Sequence, residues 1–332
     1  MKLKKHHALT ALAAAAFLTV MPASLTAQDA EPAAVLDEAE QETEATEQEE
    51  QPAPETEPEA AAPEQTTAPE QAAAQQTPAQ ETVPADGMYT MFHQVFTGNA
   101  FKKIEINLMA EEFILVSSGS DSTMLEIKSN IKEKVPVVTQ DGKSLKVQQK
   151  DKKANMLAGR ICTVKLTLPQ NLPPSELVIS VSEGNLTLEP VAASSIKITT
   201  GTGSLTAGKI RADKDLTLAI GDGRASADAV EAQTLIVTGK KGNITLKGVL
   251  APKFSMSVDK GAASVSMVKP FSQQSSVEVN TGSIDLSLPA SAVFYSSITA
   301  GKGNYHAEFY TDSKGPELKV KFAKGNIKVS KQ

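Results

Sequence analysis

Eight glycines, Gly184, Gly203, Gly223, Gly242, Gly261, Gly282, Gly303 and Gly325, recur along the C-terminal half at spacings of 19, 20, 19, 19, 21, 21 and 22 residues. A period near twenty predicts a solenoid, in which each repeat is one coil stacked on the last. The residues around each glycine repeat with it. Two positions on stand Leu186, Leu205, Ala225, Ile244, Ala263, Ile284, Tyr305 and Ile327. Four positions on stand Leu188, Ala207, Ala227, Leu246, Val265, Leu286, Ala307 and Val329. Five positions before it stand Ile179, Ile198, Leu218, Val237, Met256, Val277, Ile298 and Val320. Apolar residues at every second position are the signature of strands, not helices.

The apolar set keeps odd offsets before the glycine and even offsets after it. A strand cannot change phase without a bend, so the glycine is expected at a corner. There it would supply a positive φ, with Asn or Ser (Asn185, Ser204, Asn243) completing the turn. A third apolar column, Val191, Ile210, Val230, Val249, Val268 and Tyr310, lies seven positions after the glycine. The predicted fold is all-β, a parallel β-helix of about eight coils of roughly 20 residues. The crossover rule for parallel strands favours the right-handed sense. Residues 171–332 form these repeats.

The rest of the chain divides by composition. Lys2, Lys4 and Lys5 precede an Ala/Leu-rich run that ends in small residues at Leu25, Thr26 and Ala27. Residues 1–27 therefore read as a secretory signal, and no transmembrane segment is expected once it is cleaved. Residues 28–86 hold 17 Asp or Glu, no Lys or Arg and no aromatic residue. Such a segment cannot bury a core and reads as a disordered acidic linker rich in Ala, Pro, Glu and Gln. The whole chain has 39 acidic and 33 basic residues; removing 17 acids and the three signal lysines leaves 22 against 30, so the remainder carries +8. A basic exported domain suits an anionic glycan or envelope polymer as partner.

Residues 87–170 lack the period but remain strand-like, as in Ile104–Ile106, Phe113–Val116 and Val164–Leu168, with a hairpin turn expected at Asp141 and Gly142. They read as an irregular N-terminal β cap continuous with the solenoid, protecting strand edges at that end. At the other end, Lys321, Lys324, Lys328 and Lys331 are expected to blunt the edge. Cys162, the only cysteine, reads as a small core hydrophobe.

No reactive constellation emerges. His93 and His306 are the two histidines after the signal, and neither has a His or Cys neighbour at ligand spacing. The column before each glycine runs Glu183, Thr202, Asp222, Lys241, Lys260, Thr281, Lys302 and Lys324. A glycan-cleaving enzyme needs paired carboxylates or a cation cluster. Here the two acids fall two coils apart, about 10 Å at ~4.8 Å per coil. No catalytic, cofactor-binding or metal-binding residue is assigned, no cofactor is expected, and no nucleic-acid motif is present. The lysines of this column could line a ligand groove.

The repeat units Ile196–Ala207 and Leu235–Leu246, with the lead-ins Leu145–Val147 and Val164–Pro169, resemble the bacterial putative-adhesin family of β-strand-repeat proteins. The resemblance covers roughly 100–330 and implies an exported β-helix, periplasmic or at the cell surface, with no catalytic residues to carry over. The expected function is a non-enzymatic scaffold for adhesion or envelope interaction. A lyase-like glycan-active enzyme and a periplasmic sensing or assembly partner are the alternatives.

Overall fold

The computed structural model describes residues 87–97, 101–309 and 314–332. The expected signal, the acidic linker and Tyr310 lie outside these residues. Among the described residues no helix is long and apolar enough to cross a membrane. The chain is all-β.

Strands β1 (Tyr89–Phe96), β2 (Lys103–Leu108), β3 (Glu112–Ser118), β4 (Thr123–Ser129), β5 (Val137–Asp141) and β6 (Ser144–Gln148) lead to a short 3-10 turn at Lys152–Met156 and to β7 (Cys162–Pro169). Next come β8 (Glu176–Val181), β9 (Leu186–Leu188), β10 (Val191–Ala193), β11 (Ser195–Thr200), β12 (Ser204–Ala212), β13 (Asp215–Ile220) and β14 (Arg224–Glu231). The series continues with β15 (Thr234–Gly239), β16 (Asn243–Leu250), β17 (Lys253–Val258), β18 (Ala262–Met267), β19 (Ser275–Val279) and β20 (Ser283–Leu288). It ends with β21 (Tyr295–Ala300), β22 (Asn304–Ala307), β23 (Glu317–Phe322) and β24 (Asn326–Lys331).

Two long sheets result. One runs β1-β4-β7-β3-β9-β12-β14-β16-β18-β20-β24-β22, the other β21-β23-β19-β17-β15-β13-β11-β8-β2-β6-β5. Pairing is parallel throughout except where β1 meets β4, β4 meets β7 and β5 meets β6. A glycine coil gives one strand to each sheet, and identical columns meet in register, as Ile198 meets Ile179 on one side and Leu218 on the other. The alternating columns point inward. Leu177, Ile179, Val181, Leu186, Leu188 and Val191 of a single coil are all at most 3% exposed. A third, short ladder joins Val191 to Ile210, Ile210 to Val230, and Val230 to Val249.

The glycines do stand between the two sheets, but not for the reason expected. None of the eight has a positive φ; among the described glycines that conformation belongs to Gly87, Gly142, Gly159 and Gly248. Instead each fills a place with no room for a side chain. A Cβ on Gly203 would lie 1.7 Å from the carbonyl oxygen of Gly184, and one on Gly223 1.8 Å from that of Gly203. The column is thus a glycine-on-glycine stack in which each backbone rests on the last. The following residue continues the ladder, with Arg224 N–H donating to Gly203 O at 3.3 Å and Asn243 N–H to Gly223 O at 3.1 Å.

Chain order is not stacking order at the ends. The rung β23–β24 lies between β19–β20 and β21–β22, so the coil of Gly303 is outermost and that of Gly325 is interior. Lys321, Lys324, Lys328 and Lys331 therefore do not stand on the terminal edge; β21 and β22 do. Ile298 of β21 is consequently 48% exposed, although its column is buried elsewhere. The same exchange occurs at the other end, where β2–β3 lies between β8–β9 and β6–β7. Much of 87–170 is therefore ladder as regular as the repeats, and β5–β6 form a hairpin turning at Gly142 (φ 51°).

Candidate functional site

The column before the glycines forms one outer corner of the stack. Each backbone N–H there donates to the neighbouring rung: Lys241 to Gly221 O at 3.0 Å, Lys260 to Lys240 O at 2.8 Å, Lys324 to Asn280 O at 2.7 Å, and Lys302 to Ala323 O at 2.6 Å. Satisfying the backbone in this way aims the side chains at solvent, and all of them are exposed. Because the last two rungs exchange places, the spatial order is Glu183, Thr202, Asp222, Lys241, Lys260, Thr281, Lys324, Lys302. Charge is therefore graded along the corner, acidic toward the N-terminal rungs and basic toward the other end. Lys241 leans back to Asp222 (3.5 Å). Lys260, Lys324 and Lys302 have no ion-pair partner among the described residues.

Glu183 and Asp222 do not meet, since Thr202 stands between them and Asp222 pairs with Lys241. His93 and His306 lie on β1 and β22, the opposite ends of one sheet. Among the described residues no group of three or more His, Cys, Asp or Glu is placed to hold a metal ion.

Beside the basic corner the outer face of the second sheet carries a shallow groove of about 370 Å³. Thr199, Ala219, Thr238 and Ser257 form its floor, one from each of four successive rungs, and Lys240 and Asp259 stand at its rim. Small side chains in register are what make the depression. Asp259 is held by Asn280 Nδ2 at 2.7 Å. Thr200 adds a buried hydroxyl with no hydrogen-bond partner among the described residues. This hydroxyl row alternates with the buried columns, and sequence reasoning passed over it because Thr and Ser there read simply as the polar half of a strand.

A second feature missed in the sequence is a buried ion pair near the N-terminal end. Phe113 pairs with Leu186, which places Glu111 at the glycine position of its rung. Its side chain is fully buried and accepts from Met109 N–H (2.7 Å), Ala110 N–H (3.1 Å), Gln149 Nε2 (3.1 Å) and Arg160 Nη2 (2.7 Å). Burial is the largest single influence and pushes its carboxyl up. Arg160, Gln149 and the Met109 amide together outweigh it and hold the group below the ordinary carboxylate range. Arg160 and Gln149 also donate to Lys134 O, at 3.1 and 2.6 Å. Lys134 is, among the described residues, the non-glycine residue with a positive φ (59°), so the network fixes a strained loop as well as a charge. Cys162 is buried, as expected, and desolvation pushes its thiol up to about 11.

No curated protein matches the sequence. Several solved structures are similar. One is a putative adhesin from Bacteroides fragilis NCTC 9343, 16% identical, covering 72% of this chain and 96% of that chain, with a TM-score of 0.44. Another is a putative lipid binding protein from Parabacteroides distasonis ATCC 8503, 18% identical over 72% and 96%, with a TM-score of 0.42. A third is a putative adhesin from Parabacteroides merdae ATCC 43184, 15% identical over 72% and 95%, with a TM-score of 0.39. The model of the Toastrack DUF4097 family matches residues 101–331, a span that takes in the repeated coils, the corner and the groove, and the chain belongs to that family.

Proposed function

We propose that the protein is an exported, non-enzymatic β-solenoid scaffold, adhesin-like in role, whose basic corner and adjoining groove hold an anionic glycan or envelope polymer. The observation that carries this reading is the outward row Lys241, Lys260, Lys324 and Lys302, whose first two members share their rungs with Thr238 and Ser257 of the groove floor while the last two extend the row beyond the groove. Cations at rung intervals of ~4.8 Å, or twice that where Thr281 intervenes, match a linear polymer carrying repeated acids. Hydroxyls in register offer donors and acceptors to sugar hydroxyls. In this reading the eight glycine-bearing coils wind in the right-handed sense, residues 1–27 direct export, and 28–86 act as a spacer.

Binding of the mature chain to alginate, polygalacturonate and uncharged dextran tests it. Binding to the acidic polymers should weaken as salt rises and fall at least about tenfold when all four lysines are replaced by Gln. Equal binding to dextran, or an unaffected quadruple variant, overturns the site. Turnover of either acidic polymer would replace the scaffold with an enzyme. Protease treatment of intact cells settles location: cleavage within 28–86 without lysis puts the solenoid outside. Protection until the outer membrane is opened puts it in the periplasm and turns adhesion into an envelope role.

A further inference from the structure

The third, short ladder begins at β10, and it begins with an open edge. Among the described residues β10 pairs with β12 on one side only. On the other side the neighbouring strand β3 pairs with β9 and ends at Ser118, and Ser117 Oγ donates to Pro190 O just before β10 starts. In a strand the N–H and C=O of one residue point to the same side, and successive residues alternate. Ala193 O accepts from Asp213 N–H (3.1 Å), so Ala193 faces β12 and Ala192 faces the other way. No backbone partner for Ala192 lies on that side among the described residues.

A cleft of about 400 Å³ runs along this edge, within the usual range of ligand sites. Leu168, Pro169 and Pro173 form the facing wall. The two prolines have no N–H to give, and this wall meets the chain only past the end of β10, where Ser194 N–H donates to Pro174 O (3.1 Å), so the open stretch is the single outward residue Ala192. Lys209 and Arg211, two residues apart on the outer face of β12, stand on the other flank. Arg211 spends Nε on Asp213 (3.4 Å) with its side chain 55% exposed, which leaves the outer guanidinium nitrogens for a ligand. Lys209 has no acidic partner among the described residues.

We propose that the free edge of β10 receives an extended acidic peptide, which adds as a strand at Ala192 and sets a carboxylate between Lys209 and Arg211. An unpaired N–H and C=O on one residue ask for an acceptor and a donor at strand spacing, which a peptide backbone supplies and a simple anion does not. The apolar wall takes one face of the added strand, and the two cations select acid on the other. The site is separate from the lysine corner and does not depend on it.

The test uses the isotope-labelled mature chain and two capped probes, Val-Glu-Val-Glu-Val and Val-Lys-Val-Lys-Val. The Glu probe should bind saturably and shift the Ala192 amide, and the Lys probe should bind at least tenfold more weakly. Ala192→Pro removes only an outward N–H and no ladder bond, so it should keep the melting temperature and weaken the Glu probe at least tenfold. The double charge reversal Lys209→Glu/Arg211→Glu should invert the preference. Absence of a saturable shift at Ala192, or full binding by a folded Ala192→Pro, overturns the proposal. So does equal affinity for capped single Glu, which would mark a simple anion site.

Discussion

Replacing Gly223 by Ala tests the glycine stack directly. The new Cβ would lie 1.8 Å from Gly203 O and 2.9 Å from Gly203 C. Carbon and carbonyl oxygen normally meet at roughly 3.3–3.6 Å, so the rung must open by about 1.5 Å. Opening it strains or breaks Asp222 N–H to Gly201 O (2.8 Å) and Arg224 N–H to Gly203 O (3.3 Å), with Asn243 N–H to Gly223 O (3.1 Å) on the next rung. Two or three such bonds at about 1 kcal/mol each, plus about 1–3 kcal/mol for overpacking, give a cost of roughly 3–6 kcal/mol. For a domain of this size that lowers the melting temperature by roughly 6–24 °C. Gly208 is the control. It has nothing within 4 Å of its Cβ position and no positive φ, so Gly208→Ala should be neutral or stabilise by up to about 1 kcal/mol. Thermal unfolding of the mature chain by far-ultraviolet circular dichroism compares the two. If Gly223→Ala melts within about 2 °C of Gly208→Ala, the stack tolerates a methyl and the steric account of the period fails.

Ile198 and Ile298 occupy the same column, yet Ile198 is fully buried and Ile298 48% exposed. Urea unfolding should therefore show Ile198→Ala costing about 2–5 kcal/mol and Ile298→Ala below about 1 kcal/mol. Glu111→Gln leaves Arg160 buried without its counter-charge, which should cost about 3–5 kcal/mol near neutral pH. Because the folded Glu111 carboxyl lies below its ordinary value of 4.5, its contribution is present above that value and is lost as pH falls through the folded one. Urea midpoints of wild type and Glu111→Gln should accordingly converge in acid. Cys162, with its thiol raised to about 11 by burial, should resist a thiol reagent at pH 8 in the native chain and react on unfolding.

The interior columns were legible because a parallel ladder gives every rung the same surroundings, so one residue class recurs at each offset. The reason for the glycines was not. A corner and a backbone contact both select glycine, and only the position of the facing carbonyl distinguishes them. The lysine corner could be read as a column in sequence order, but its true order, with Lys324 inside Lys302, could not. Glu111 was hidden for a related reason. It sits in the glycine column of a rung 73 residues before Gly184, beyond the reach of a twenty-residue period.

The exchange of rungs at both ends follows from the side chains that each rung turns inward. Seven, five and three positions before Gly325 stand Leu318, Val320 and Phe322, all at most 6% exposed; the same offsets from Gly303 give Ser296, Ile298 and Ala300. A terminal rung has one neighbour and must leave part of its inner face uncovered. Placing β23–β24 there instead would expose Leu318 and Phe322 in order to bury Ser296 and Ala300, at about 1.5–3 kcal/mol for each large side chain. Ser296 in its actual place shares a hydrogen bond with Tyr305 (2.7 Å), which suits a partly wet end. At the N-terminal end the displaced rung β6–β7 is itself covered, by β5 and β4, but it too carries a polar inner residue. The interior rung turns Leu108 inward, and the outer rung offers Gln149 at the matching position, where it serves Glu111 and the Lys134 carbonyl. In both places the rung with the polar inner residue is the one displaced outward. At the C-terminal end burial of apolar side chains, not chain order, decides which coil closes the stack.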